Sequence, residues 1–264
     1  MKIDISDLIL LAKKAGEAIM EYYKTDAAVD YKNDSSPVTA ADMAAHEIIM
    51  QGLKEKYGDI PCISEEGDMP LYNERKEWKY FWLVDPLDGT KEFIGRRGDF
   101  TVNIALINGN RPVIGVIYVP AKDLLYYATI DGGAWKAEGA GEASRISVRK
   151  TTSSDGLIVV GSRLHSSKEE EQFVSKFKVK EKKSYGSSLK FCAVAEGAAD
   201  IYPRFNPTME WDTAAGQCIV EIAGGTVVDT SGRRLIYNKP SLKNGNFIVL
   251  GQPENTLPPS TACD

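Results

Sequence analysis

The chain has 264 residues, enough for one large domain or two intimate subdomains around a substantial core. Charged residues at 26% and hydrophobic residues at 43% are ordinary for a soluble globular protein. A net charge of −5 argues against a nucleic-acid polymer as partner, yet a metal cluster and a few local cations can still hold a small anion.

Leu8, Leu11, Ala12, Ala15, Ile19 and Met20 recur at helical spacing and predict an amphipathic helix over residues 4–23. The apolar run 8–12, bracketed by Asp7 and Lys13, is too short for a signal peptide or membrane span. A cytoplasmic protein without a transmembrane segment is therefore expected, with peripheral attachment to an inner membrane left open. Thr39-Ala40-Ala41-Asp42 reads as a capping box before a second helix running to Lys56. The apolar segment 60–63 then places Glu65 and Glu66, in Ser64-Glu65-Glu66-Gly67, at the end of a strand. Taken alone, they read as a solvated acidic loop.

Residues 80–84 form an apolar run of strand character that ends at Asp85-Pro86-Leu87-Asp88-Gly89-Thr90. Pro86 fixes its own φ and is expected to break the strand, and Gly89 permits a tight turn. Asp85 and Asp88 can then point into one small volume at a strand's C-terminal edge, where open α/β sheets tend to bind ligands. Like charges held that close repel unless a cation sits between them. Hard oxygen donors with no His or Cys nearby favour Mg²⁺, Mn²⁺ or Ca²⁺ over zinc. On spacing alone, an acidic surface bend fits as well as a cation site.

Further strands are predicted at 101–107, 113–119, 124–129 and 134–136, giving a mostly antiparallel sheet packed against the two N-terminal helices. The small, polar and basic segment 139–154 suggests a change of subdomain, with an α+β half over 1–145 and an α/β half over 146–252. In the second half, strands at 157–161, 200–202, 226–228 and 247–250 alternate with helices at 168–177, 187–196 and 213–223. Residues 253–264, with three prolines and no apolar period, read as a loose tail. Cys62, Cys192, Cys218 and Cys263 are widely spaced, so neither a disulfide framework nor a zinc site is expected.

Asp42 has a plain reading inside its own capping box. Asp212, in Glu210-Trp211-Asp212-Thr213-Ala214-Ala215-Gly216, has one as a helix N-cap. The ordered combination is less ordinary. The Ser-Glu-Glu strand end, then Asp85–Thr90, then Trp211–Gly216 resemble the magnesium-dependent, lithium-sensitive phosphatase superfamily of inositol monophosphatases and fructose-1,6-bisphosphatases, over nearly the whole chain. The resemblance implies a layered αβαβα sandwich and hydrolysis of a phosphate monoester with two or three Mg²⁺ ions. It implies that Glu65, Asp85, Asp88, Asp212 and the backbone carbonyl of Leu87 are metal ligands. Asp42 falls where the family supports a more weakly held metal or its water.

Within that superfamily, the stretch from Tyr185 to Gly197, with Ala199 to Phe205 and Thr208 to Asp212, looks like the bisphosphate nucleotidase branch. Ser187, Lys190 and Arg204 match positions that hold the second phosphate of adenosine 3′,5′-bisphosphate, and His165 matches loosely. The implied partner is a small nucleotide bisphosphate; the oligomeric state stays open, with a monomer favoured. Thr90 is placed either to cap the following turn or to orient an attacking water and relay a proton toward Asp42, with Glu66 orienting water beside Glu65. The N–H groups of Gly89 and Thr90 are candidate contacts to the scissile phosphate, as at a turn opening a helix. Glu65, Leu87, Asp88 and Asp212 are expected around the same group.

Three rival readings remain. A haloacid-dehalogenase-type phosphatase needs a nucleophilic Asp two residues before the second acid, and Pro86 stands there. An inositol or sugar monophosphatase would not call for the second cationic site. A non-catalytic metal- or nucleotide-binding protein on the same fold predicts loss of a metal carboxylate, and none is missing.

Overall fold

The structure is a computed structural model that describes residues 3–24, 29–31, 37–151, 155–162 and 167–253, with 29–31, 37–39 and 253 by their backbone alone. Asp4 opens the first helix, Ile5–Tyr23, by accepting a hydrogen bond from the Ser6 N–H at 2.9 Å. Leu8, Leu11, Ala12, Ala15 and Ile19 form its buried stripe. That stripe packs beside the second helix, Ala40–Tyr57, whose Ala41, Ala45, Ile49 and Leu53 are buried one turn apart. Both helices cover one face of a seven-stranded sheet.

That sheet runs in chain order through Cys62–Ser64, Tyr80–Asp88, Thr101–Asn108, Arg111–Val119, Leu124–Thr129, Gly133–Glu138 and Ser144–Arg145. The first pair is parallel and every later pair antiparallel. Alternation along the strands sends Trp82, Val84, Ile104 and Val116 toward the two helices, and Phe81, Leu83, Ala105 and Ile117 into a second core. Each fully buried Leu, Ile or Val contributes roughly 1.5–3 kcal/mol relative to exposure.

The second core holds the helices Leu189–Ala195 and Glu210–Ile222, and beyond them lies a five-stranded sheet. Its order is Val179–Ser184, Leu157–Gly161, Ile201–Arg204, Phe247–Leu250, Thr226–Asp229. Ile158, Val160, Tyr202 and Val249 face inward, while Leu157, Val159, Ile201 and Ile248 face out and are covered by Phe173 and Val174 of the helix Lys168–Val174. The five layers are helix, sheet, helix, sheet, helix, the αβαβα sandwich that the resemblance implies.

Four local features differ from the sequence reading. The strand does not end before Pro86. It continues to Asp88, and its neighbour pairs Asp85 with Asn103 and Asp88 with Thr101, so a bulge rather than a break absorbs the proline. The helix Glu210–Ile222 starts upstream of its predicted first residue, Thr213; Asp212 therefore sits inside the first turn, not at the N-cap. The strand Val179–Ser184 was not predicted; its Lys180, Glu181 and Lys182 are exposed. They are the charged side chains of a sheet edge. Gln252–Pro253 pairs with Lys150–Thr151, so the first residue of the predicted tail, Pro253, is tied down. His165 and residues 254–264 lie outside the described residues, as does Cys263; Cys62, Cys192 and Cys218 are free thiols.

Candidate active site

Parallel pairing of Cys62–Ser64 with Tyr80–Asp88 matches Ser64 to Val84, and the Glu65 N–H donates to the Val84 carbonyl at 3.1 Å. Glu65 and Asp85 thus leave the same end of adjacent strands. Asp212 reaches them from the first turn of Glu210–Ile222, where its Oδ2 accepts from the Met209 N–H at 2.7 Å. Glu65, Asp85 and Asp212 each offer a carboxylate oxygen, all within 4.8 Å of one another. Asp42, buried in the first turn of Ala40–Tyr57, adds its charge to the same neighbourhood. One turn further along that helix, His46 Nδ1 lies 2.8 Å from Ser64 Oγ and fastens the helix to the strand end.

Burial pushes the Asp85 carboxyl well above the usual carboxylate range, and the charges of Glu65, Asp88, Asp212 and Asp42 push it further. Asp212 is raised for the same reasons, burial first and Asp88 next, partly offset by the Met209 N–H. A hard divalent cation relieves this repulsion, and convergent carboxylate oxygens are the donors it prefers. The site fits such an ion.

Asp88 is held apart from that trio. Its Oδ2 accepts from Ser187 Oγ at 2.6 Å and Ser188 Oγ at 2.9 Å, and Ser187 Oγ also lies 2.5 Å from Thr101 Oγ1. Leu87 is buried, with its N–H on Asp85 Oδ1 at 3.1 Å. Gly89 adopts φ 90°, a left-handed conformation natural to glycine, and opens the short helix Thr90–Ile94. Gly89, not Thr90, is therefore the N-cap, which leaves the Thr90 hydroxyl without the capping role.

A cavity of about 210 Å³ joins Asp88, Gly89 and Asp212 to Ser187, Lys190 and Arg204. Lys190 is buried; its Nζ donates to the Ser187 carbonyl at 2.6 Å and sits 5.6 Å from the centre of the Tyr202 ring. Desolvation lowers its ammonium to about 8, opposed by the charge of Asp88 and reinforced by Arg204. Arg204, at the end of Ile201–Arg204, carries a buried Nε with no hydrogen-bond acceptor among the described residues. Neither cation forms an ion pair with a carboxylate among the described residues. Lys190, buried, and Arg204, partly buried, thus line one cavity without a carboxylate ion-pair partner among the described residues.

The chain matches the family model described as the inositol monophosphatase family over residues 5–257. The chain belongs to the inositol monophosphatase family. Among similar proteins, the 3′(2′),5′-bisphosphate nucleotidase CysQ of Salmonella typhimurium is 49% identical over 242 residues, covering 90% of this chain and 96% of the relative. The nucleotidase of the same name from Escherichia coli K12 is 48% identical over the same shares. The crystal structure of CysQ from Bacteroides thetaiotaomicron, described as a bacterial member of the inositol monophosphatase family, superposes with a TM-score of 0.83 at 44% identity, over 94% of this chain and 97% of that one. Membership implies a divalent metal, in keeping with the carboxylate cluster. No helix among the described residues is long and apolar enough to cross a membrane.

The family pattern left several cavity residues unmarked. Glu92, Ser188, Tyr202 and Phe247 all line it, as do Lys91 and Phe191. Glu92 had a usable signal, since it lies on the turn that Gly89 opens and so must stay near the carboxylates. Phe247 had none, because a buried strand residue reads only as core.

Proposed function

We propose that the protein is a metal-dependent 3′(2′),5′-bisphosphate nucleotidase that hydrolyses adenosine 3′,5′-bisphosphate to AMP and phosphate, and its 5′-phosphosulfate counterpart in the same way. The observation that carries this reading is one cavity lined both by the carboxylates Asp88 and Asp212 and by the cations Lys190 and Arg204. A substrate with two phosphates can engage both groups. An inositol monophosphate has no second phosphate to offer the cations. The high identity to nucleotidases named for bisphosphate substrates supports the same choice.

In this reading Glu65, Asp85, Asp88, Asp212 and the Leu87 carbonyl hold two or three Mg²⁺ ions, with lithium inhibition expected from the family. Such ions, when bound, neutralise phosphate charge and lower the pKa of water. The Gly89 and Thr90 N–H groups receive the non-bridging oxygens of the 3′-phosphate at the helix opening. Thr90 orients the attacking water beside Glu65 and passes its proton toward Asp42, while Glu66 steadies the water network. The water oxygen forms its bond to phosphorus as the P–O3′ bond breaks, and the leaving alkoxide takes up a proton. Lys190, Arg204 and Ser187 meanwhile fix the 5′-phosphate. The division near residue 145 belongs to the same proposal: one half carries most metal ligands, the other Asp212 and the 5′-phosphate residues.

The test is phosphate release from adenosine 3′,5′-bisphosphate with Mg²⁺. A chelator is expected to stop it, and Asp88→Asn to abolish it with an unchanged circular dichroism spectrum. Sustained turnover by Asp88→Asn would remove the metal-site assignment.

A further inference from the structure

Glu92 is out of place in a cavity built for anions. It is nine-tenths buried, with 9% relative exposure, and lines the same cavity as Asp88, Lys190 and Arg204. Its side chain makes no hydrogen bond and no ion pair among the described residues, although the Lys190 ammonium feels its charge. Its carboxylate oxygens are not sealed in the protein but open onto the cavity, free to accept a hydrogen bond from whatever fills it. The Lys190 ammonium donates to the Ser187 carbonyl at 2.6 Å and forms no ion pair with Glu92.

The position of the carboxylate narrows the donor. The Oε2 atom lies 3.3 Å from where a Cβ on Gly89 would stand, beside the turn that opens the phosphate cradle. A Cβ on Gly186 would fall 2.6 Å from Glu92 Cγ, so the side chain is pressed between the Gly89 turn and the loop carrying Ser187. Glu92 thus stands beside the Gly89 turn, where the reading above puts the scissile phosphate. For a sugar phosphate gripped at both ends, the group there is the sugar, and its hydrogen-bond donor is the hydroxyl next to the ester being cleaved. A carboxylate accepts from a hydroxyl but repels a phosphate, so it also penalises a substrate phosphorylated at both neighbouring positions.

We propose that Glu92 is a specificity-determining residue, accepting a hydrogen bond from the sugar hydroxyl vicinal to the scissile phosphate. This rests on the bisphosphate nucleotidase reading. It predicts that the wild-type enzyme uses adenosine 3′,5′-bisphosphate about tenfold or more better, in kcat/KM, than its 2′-deoxy counterpart, the scale of a hydrogen bond to a charged acceptor. Glu92→Ala should bring the two substrates within about twofold of each other, the scale left once a charge-assisted hydrogen bond is gone. Glu92→Gln, which keeps the shape and a weaker acceptor, should give an intermediate ratio, and it serves alone if the alanine variant does not fold. A role limited to balancing the Lys190 charge would lower both substrates equally and leave the ratio unchanged. Equal use of both substrates by the wild type, or an unchanged ratio in the folded variants, overturns the proposal. If neither bisphosphate is hydrolysed at all, the broader nucleotidase reading fails instead.

Discussion

Burying an ammonium is costly unless an anion comes to it, and Lys190 is held in that condition. Desolvation lowers its pKa to about 8, whereas a phosphate placed beside it favours the charged form and raises it again. Binding of adenosine 3′,5′-bisphosphate near pH 8 should therefore take up protons, and KM should rise as the pH climbs past that value. Calorimetric titration in buffers of different ionisation heat reads this directly; a heat independent of buffer would contradict it. Asp85 makes the opposite case. Its carboxyl is raised by burial and by its acidic neighbours, so the native state binds more protons than the unfolded chain above the ordinary value of 3.8. The metal-free protein should lose stability as pH rises through that window, and Asp85→Asn should raise its Tm while ending Mg²⁺-dependent turnover. A lower Tm for that variant would show that the site is not strained by charge. Asp85 and Asp88 were legible as a pair from their spacing. The burial that raises the Asp85 carboxyl was not, because it comes from residues distant in sequence.

The helix Glu210–Ile222 is the element on which the site depends most, since it alone brings Asp212 to the strand ends. It approaches the seven-stranded sheet so closely that a Cβ on Gly115 would lie 2.6 Å from the Ala215 carbonyl oxygen. Gly115→Val should destabilise the protein by about 1–3 kcal/mol or more through overpacking. It should also weaken phosphate release beyond the stability loss, by shifting Asp212. Denaturant midpoints measured beside activity at a temperature where the variant is folded check this, and undiminished activity would count against it. The helix was visible in the sequence from its apolar period, but its first turn was not. The reason is local: Asp212 bonds to the Met209 N–H from inside the helix, and its composition suits an N-cap equally well. The bulge at Pro86 escaped for a related cause, because a proline ends most strands unless its neighbour can skip a pairing there. Val179–Ser184 escaped because an edge strand can carry lysines where a central one cannot.

At the scale of the molecule, two sheets and the helices between them bring Asp88, Lys190, Arg204 and Asp212 around one cavity. No short stretch of sequence contains all of them. The order of the acidic motifs made the family legible, and alternating apolar residues made most strands legible. The joining of the carboxylates to Lys190 and Arg204, and Glu92 beside them, required the layered packing. The account's central claim is that this cavity selects a substrate with two phosphates. The ratio of kcat/KM for adenosine 3′,5′-bisphosphate over inositol 1-phosphate, both with Mg²⁺, tests it most directly. With Lys190 and Arg204 each making charge-assisted hydrogen bonds to the second phosphate, the ratio should be about a hundredfold or more, and should collapse in Lys190→Ala. A ratio near one, or a preference for the inositol phosphate, would contradict the account.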